Sequence, residues 1–232
     1  MGISNSTADS AGRREAIRLR FLEVNTSNAA DALDMLGYPN QALATEFSPY
    51  PSNAGRLAGW AYTIRGQMTP YPLGGDPEKM VACNGVSPDE VTVWSGDGEG
   101  ICYFGELIAT GMKDRGCVGA LVDGGIRDVG WIGQHGFTVY ARYRTPVQSI
   151  GRWKVNGWQV PVFLRGATTS LVKIEPGDFI LADEDGALTI PAAVIETVLE
   201  NAEGLAEKER LIRAELSAGA TLDEALRKFG HV

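Results

Sequence analysis

Apolar residues recur at helical spacing near both ends of this chain and form short alternating or continuous runs through its middle. That pattern predicts an α/β fold with helical N- and C-terminal ends. A first helix is expected from about Arg13 to Val24. A second opens at Ser27 or Asn28, carries Ala30, Leu33 and Leu36 on one side, and stops at Gly37 with Pro39 behind it. Strand-like runs follow at Leu57–Ile64 and Glu90–Trp94. Between them lies a Gly/Pro-rich segment from Arg65 to Pro77, long enough to suggest a lid or an oligomer contact rather than a plain connection. Next come a helix from about Glu106 to Arg115, a buried strand from Cys117 to Val122 and a tight turn ending in Arg127-Asp128. A short helix (Val129–His135) and a strand in FTVYAR complete this part.

From Gly151 to Pro191 the runs WQVPVFL, LVKIEPGDFILAD and ALTIP read as strands separated by EPGD and EDG turns. Pro191 suits the first position of a long helix with Val194, Val198, Leu199, Ala202 and Leu205 at helical spacing, ending near Gly219. Thr221 and Glu224 make a capping box for a last helix through Lys228. Residues 1–12 are small and polar and read as a flexible tail. No internal repeat or linker is visible, so residues 13–232 are expected to be one domain whose C-terminal helical tail begins near 192.

Composition narrows the function classes. A chain of 232 residues can bury a real core. Its net charge of −8 argues against nucleic-acid and anionic-membrane partners but tolerates a local arginine pocket for a small anion. Three cysteines (Cys83, Cys102, Cys117) without CxxC spacing indicate neither a disulfide frame nor a thiolate zinc site, and a reducing cytoplasm is expected. No apolar run approaches the ~20 residues of a membrane span, and the N-terminus lacks a signal-peptide core.

The candidate chemistry concentrates between Phe104 and Asp128. This unit combines free N–H groups at a helix start with Glu106, Arg127 and Asp128, a set suited to a hard metal ion and a small oxyanion. Each residue has a plainer explanation: a surface-turn pair for Arg127 and Asp128 with Asp123 capping the next helix, and a dipole-favoured carboxylate for Glu106. Their occurrence together after one glycine-rich loop favours a site. Histidine is limited to His135, read as a helix-end cap, and His231. No GxSxG supports a Ser-His-Asp hydrolase, and with so few histidines and no HExxH any metal is expected on oxygen ligands, which favours Mg²⁺ or Mn²⁺ over zinc. In VTVWSGDGEGI, Gly96, Gly98 and Gly100 do not match GxGxxG. The segment reads as a flexible turn whose N–H groups line a carboxylate site. Trp60, Tyr71, Trp94 and Trp131 default to buried core.

The run GELIATGMKDRGCVGALVDGGIRD resembles the core signature of the family containing the regulator of RNase E activity A and the class II pyruvate aldolases. The latter act on 4-hydroxy-4-methyl-2-oxoglutarate and 4-carboxy-4-hydroxy-2-oxoadipate. Glu106, twenty intervening residues and then Arg127-Asp128 match the aldolase spacing, with Glu where the well-known aldolases carry Asp. Similarity extends to TSNAADALDMLG (26–37), RLAGWAYTI (56–64), the 162–191 β-region and ERLIRAELSAGATLD (209–223), a tail common in the aldolases.

The resemblance implies a compact β/β/α domain of the phosphohistidine (swivelling) type, assembled as a homotrimer or homohexamer with active sites between subunits. It further implies a metal-dependent retro-aldol cleavage that releases pyruvate, with oxaloacetate decarboxylation as a side activity. Asp128 would anchor Mg²⁺ or Mn²⁺, and Arg127 would stabilise the enolate. The N–H groups of Phe104, Gly105, Glu106 and Leu107 would hold the substrate carboxylate, and Glu106 would position a proton-carrying water. Asp31 and Glu209 match further carboxylates that would act in a neighbouring subunit's site. No lysine is asked to form a Schiff base, and Lys113 reads as solvated. Two alternatives are a non-catalytic regulator of ribonuclease activity and a lyase acting on a different 2-oxo or hydroxy acid.

Overall fold

A computed structural model describes residues 4–230 except 73 and 97; His231 lies outside the described residues. Nine strands build one mixed sheet: β1 (Ser48–Tyr50), β2 (Leu57–Met68), β3 (Glu90–Ser95), β4 (Cys102–Phe104), β5 (Gly119–Ile126), β6 (Thr138–Arg144), β7 (Trp153–Trp158), and, after a separate hairpin of β8 (Val162–Arg165) and β9 (Leu171–Ile174), β10 (Phe179–Asp183) and β11 (Gly186–Ile190). Around it lie α1 (Ser4–Phe21), α2 (Thr26–Met35), α3 (Pro77–Asn84), α4 (Glu106–Lys113), α5 (Val129–Gln134), α6 (Ile195–Ser217) and α7 (Leu222–Phe229). The expected α/β fold with helical ends is present. None of the described helices is long and apolar enough to cross a membrane.

The centre of the sheet is parallel: β2, β3, β5 and β6 run in register in one direction, with short β4 added beside the end of β5. Parallel neighbours require crossovers, and α3, α4 and α5 supply them. These helices bury Ala82, Ala109, Met112 and Ile132 on one face of the sheet, with Trp94, Phe104 and Trp153. The β8–β9 hairpin covers the other face through Val162, Leu164, Val172 and Ile174. β3 and β5 are therefore covered on both faces, and Val91–Ser95 and Gly119–Ile126 are buried throughout. A third cluster joins α1, α2 and α6 to β10 and β11 through Phe21, Leu33, Phe179, Leu181, Val198 and Leu199.

Several boundaries differ from the sequence pattern for identifiable reasons. α1 begins at Ser4, well before Arg13, and so extends into the stretch read as a tail. β2 continues to Met68 because β7 pairs with its second half, which leaves a shorter loop before α3. The helix α3 was not expected; Asp76 caps it by accepting from the Lys79 amide (3.2 Å), with Pro77 at its first position.

β5 does not stop at Val122 but runs through Asp123-Gly-Gly to Ile126, with an irregularity where β4 joins. Its glycines are not a tight turn near a ligand. A side chain at 124 would strike the Tyr103 ring, and one at 125 the Ile101 carbonyl. Asp123 is not a helix cap either. It is buried, pairs with Arg142 at 2.5 Å and accepts from the Arg165 amide at 3.1 Å. Burial pushes its carboxyl up while Arg142 opposes that shift.

The capping box at Thr221 and Glu224 forms as expected. A second carboxylate ties the start of α2 to the end of β10. Buried Asp183 accepts from the Thr26 amide (2.8 Å), the Thr26 hydroxyl (2.6 Å) and the Asp185 amide (3.0 Å). Asp183→Ala leaves the Thr26 donors buried and unpaired at the start of α2, and is expected to cost about 3 kcal/mol. A urea melt with a loss below about 1 kcal/mol would show that α2 is held by apolar packing alone.

Candidate active site

Pairing of β4 with β5 sets Phe104 opposite Ile126, so Gly105 and Arg127 leave the sheet side by side at adjacent carboxyl ends of parallel strands. Ligands of α/β folds collect at such strand ends. The Arg127 amide donates to the Phe104 carbonyl at 3.1 Å and locks the two exits together. Asp128 then adopts φ 60°, ψ 32°, the left-handed region that favours glycine. It stands at the N-cap of α5 without using its side chain as a cap. Its carboxylate faces α4 instead, with Oδ2 3.4 Å from the Glu106 amide nitrogen and 3.4 Å from Arg127 Nε. Gly105 permits this approach: a Cβ there would lie 2.8 Å from Asp128 Oδ2. Asp128 is one of three non-glycine residues at positive φ among those described, with Asp89 and Gln159, and its carboxylate is aimed at a helix start.

Arg127 and Asp128, both about two-fifths exposed, border a cavity of about 340 Å³. Gly105, Leu107 and Ile108 form one wall. Tyr71, Gly75, Asp76, Lys79 and Met80 form another, so the segment after β2 does shape the cavity. The volume suits a small organic acid. A shallower concavity of about 570 Å³ opens on the other side of the pair, against Arg144 and Thr145.

The other residues singled out from the sequence fall in three groups. Phe104 shares the cavity wall, but its ring is buried against Phe137 and its carbonyl is taken by Arg127. Leu107 lies at the mouth, largely exposed. Glu106 opens α4, yet its carboxylate turns along the helix, accepting from the Thr110 hydroxyl at 3.0 Å and lying 3.8 Å from His135 Nε2. His135 is therefore more than the cap it was read as: it follows α5 at the C-cap and also faces Glu106. Lys113 donates to the His135 carbonyl.

Asp31 and Glu209 sit on α2 and α6, which pack on β10 and β11 and contribute nothing to the cavity of their own chain. Glu209 accepts from Asn28 Nδ2 at 2.5 Å and pairs with Arg213 at 3.1 Å. The glycine turn after β3 does not line this cavity, contrary to expectation. Its carbonyls at Gly96 and Gly98 point inward to the Tyr103 hydroxyl (3.0 and 2.6 Å), and Glu99 pairs with Arg142 at 2.7 Å.

Lys79 escaped the sequence reading. It is buried, lines the cavity and donates through Nζ to the Tyr103 carbonyl. Burial pushes its ammonium pKa down. One signal was available: Asp-Pro starts a helix and puts a lysine in its first turn, where the dipole disfavours a cation.

Among the described residues no group of three or more His, Cys, Asp or Glu gathers to cage a metal. A lone carboxylate such as Asp128 could hold a hard divalent cation that keeps several waters. It does not suit zinc, which needs a full set of N/S/O protein ligands.

A family model described as RraA-like, Aldolase/RraA, matches residues 26–189. Protein DlpA of Legionella pneumophila is 27% identical over 214 residues, which are 90% of this chain but 33% of that protein, so the chain spans about a third of this relative. A Halalkalibacterium halodurans protein named "Putative 4-hydroxy-4-methyl-2-oxoglutarate aldolase" is 29% identical over 186 residues, 79% of this chain and 80% of its own length. Among solved structures, Streptomyces coelicolor RraAS2, titled an unusual member of the RNase ES inhibitor RraA protein family, superposes with a TM-score of 0.70. It is 23% identical and covers 85% of this chain and 96% of its own, which shows a shared fold.

Proposed function

The chain belongs to the RraA-like family, and from that premise we propose that it is a divalent-metal-dependent class II aldolase. It would release pyruvate from a 4-hydroxy-2-oxo acid such as 4-hydroxy-4-methyl-2-oxoglutarate, with oxaloacetate decarboxylation as a side activity, on a β/β/α scaffold of the phosphohistidine-domain type. The observation that carries this reading is the strained Asp128 carboxylate beside Arg127 at the mouth of the cavity.

Asp128 is the residue that would hold Mg²⁺ or Mn²⁺. When bound, the cation would supply Lewis-acid stabilisation of developing negative charge. Arg127 offers its planar guanidinium to the keto oxygen and stabilises the negative charge that develops there as the carbon–carbon bond breaks. The N–H groups of Gly105, at the N-cap of α4, and of Leu107, in its first turn, would receive the substrate carboxylate, while the Glu106 N–H already faces Asp128 at 3.4 Å. Glu106 would position a water that takes the 4-hydroxyl proton and returns a proton to the enolate carbon, which gives pyruvate. Thr110 and His135 orient its carboxylate from behind. The apolar wall of Leu107, Ile108 and Met80 limits the entry of bulk water.

Asp31 and Glu209, remote from their own chain's cavity, complete the proton relay of a neighbouring copy in a cytoplasmic homotrimer or homohexamer. Pyruvate release from 4-hydroxy-4-methyl-2-oxoglutarate, coupled to lactate dehydrogenase, is expected to stop with EDTA and return with Mg²⁺. No release from any 4-hydroxy-2-oxo acid would overturn the aldolase reading in favour of a non-catalytic regulator. Mixing Asp128→Ala with Glu209→Ala protein is expected to restore part of the activity, because some mixed interfaces carry both carboxylates intact. If native mass spectrometry shows subunit exchange and no activity returns, the shared site is wrong.

A further inference from the structure

A lysine normally packs its stem on the surface and keeps its ammonium in water. Lys79 does the reverse. Only 9% exposed, it reaches inward over the Trp94 and Trp153 rings, with Nζ 5.5 and 5.8 Å from their centroids. Its hydrogen-bond acceptor is the Tyr103 carbonyl, and among the described residues it has no ion pair. The carboxylate whose charge acts on it, Asp76, is committed to two amides, those of Lys79 (3.2 Å) and Val155 (2.8 Å).

The surrounding groups do not neutralise it. Burial pushes the Cys83 thiol up to about 11 and raises that of Cys102, so both are uncharged near neutral pH. Arg127 adds a like charge to the same cavity. Lys79 therefore carries three costs at once: desolvation, a helix N-terminus and a neighbouring cation. An anion entering the cavity that Lys79 lines would relieve all three, and the two aromatic faces and the carbonyl hold the ammonium until it arrives.

We infer that Lys79 is a specificity-determining residue: it receives a second carboxylate, remote from the reacting carbonyl, of a small acid whose 2-oxo end lies at Arg127 and Asp128. This deepens the reading above and rests on it for the 2-oxo end alone. Selection of the acid would then lie in α3, outside the Glu106-to-Asp128 unit.

Calorimetry on the full chain with Mg²⁺ tests this using 2-oxobutyrate and 2-oxoglutarate, acids that differ by the distal carboxylate. 2-Oxoglutarate is expected to bind roughly tenfold to a hundredfold tighter. Lys79→Met should erase that preference and leave 2-oxobutyrate binding within about threefold. Without ligand, Lys79→Met should melt at or above the wild-type temperature, since it removes a buried charge and orphans no anion.

Malonate in EDTA separates this proposal from the aldolase reading. Binding of malonate that depends on Lys79 supports the anchor even if no 2-oxo acid binds. Four results overturn it: equal binding of the mono- and dianionic acids by wild type with no Lys79-dependent malonate binding, a preference that survives Lys79→Met, a lowered melting temperature in that variant, or a borohydride-trapped pyruvate adduct on Lys79, which would make it an amine nucleophile.

Discussion

Asp128→Ala is expected to abolish metal-dependent pyruvate release while the protein stays folded. In the proposed mechanism Asp128 is the direct protein ligand, and among the described residues no cluster of His, Cys, Asp or Glu stands ready to replace it. Its side chain makes no cap bond for α5, and the Trp131 and Ile132 amides donate to the Asp128 backbone carbonyl at 3.0 Å, a bond that alanine retains. Asp128→Gly sharpens the test. At φ 60° a non-glycine residue stores strain of about 1–3 kcal/mol, and glycine relieves most of it at some cost in unfolded-state entropy. The glycine variant should therefore melt no lower than wild type and yet be inactive. That combination separates a residue kept for chemistry from one kept for the turn. Full activity of Asp128→Ala after chelation and Mg²⁺ readdition sinks the assignment, and a large drop in melting temperature for Asp128→Gly sinks the argument from strain.

Arg127→Lys should lower the rate by about 10²–10³, the usual loss when one charge-stabilising donor is removed from a preorganised site. Lysine keeps the charge but loses the planar fork that can meet a keto oxygen and a carboxylate together. Stability should change little. The Arg127 side chain is substantially solvent-exposed, and the bond that joins the two strand exits is made by its backbone amide, which lysine retains. Circular dichroism and a thermal melt accompany the kinetics. A rate within about threefold of wild type would mean that Arg127 is there to hold the strand-end turn and that developing charge is stabilised elsewhere.

Much of the fold was legible in the chain because the signals are local. The capping box at Thr221, the stop of α2 at Gly37 and the apolar periodicity of α6 each depend on residues within a few positions, and all appear as expected. Spacing placed Glu106 at a helix start and Arg127-Asp128 beyond a strand. Parallel pairing of β4 with β5 converts that separation into adjacency. Where the reading stopped short, the missing partner was distant in sequence. β2 reaches Met68 because β7 pairs with it some ninety residues later, and Asp123-Gly-Gly stays extended because β4 and the Tyr103 ring fill the space its glycines leave.

The sequence by itself determined the α/β class and the family motif and named Arg127-Asp128 as the candidate pair, since backbone preference and residue spacing carry that information. Only the tertiary structure decided where the side chains point: Asp128 toward α4, Glu106 toward Thr110 and His135, Lys79 inward beneath two tryptophans, Asp31 and Glu209 away from their own chain's cavity. Direction and burial are set by packing among elements far apart in the chain, which is why a local pattern could name the chemical groups but not bring them together.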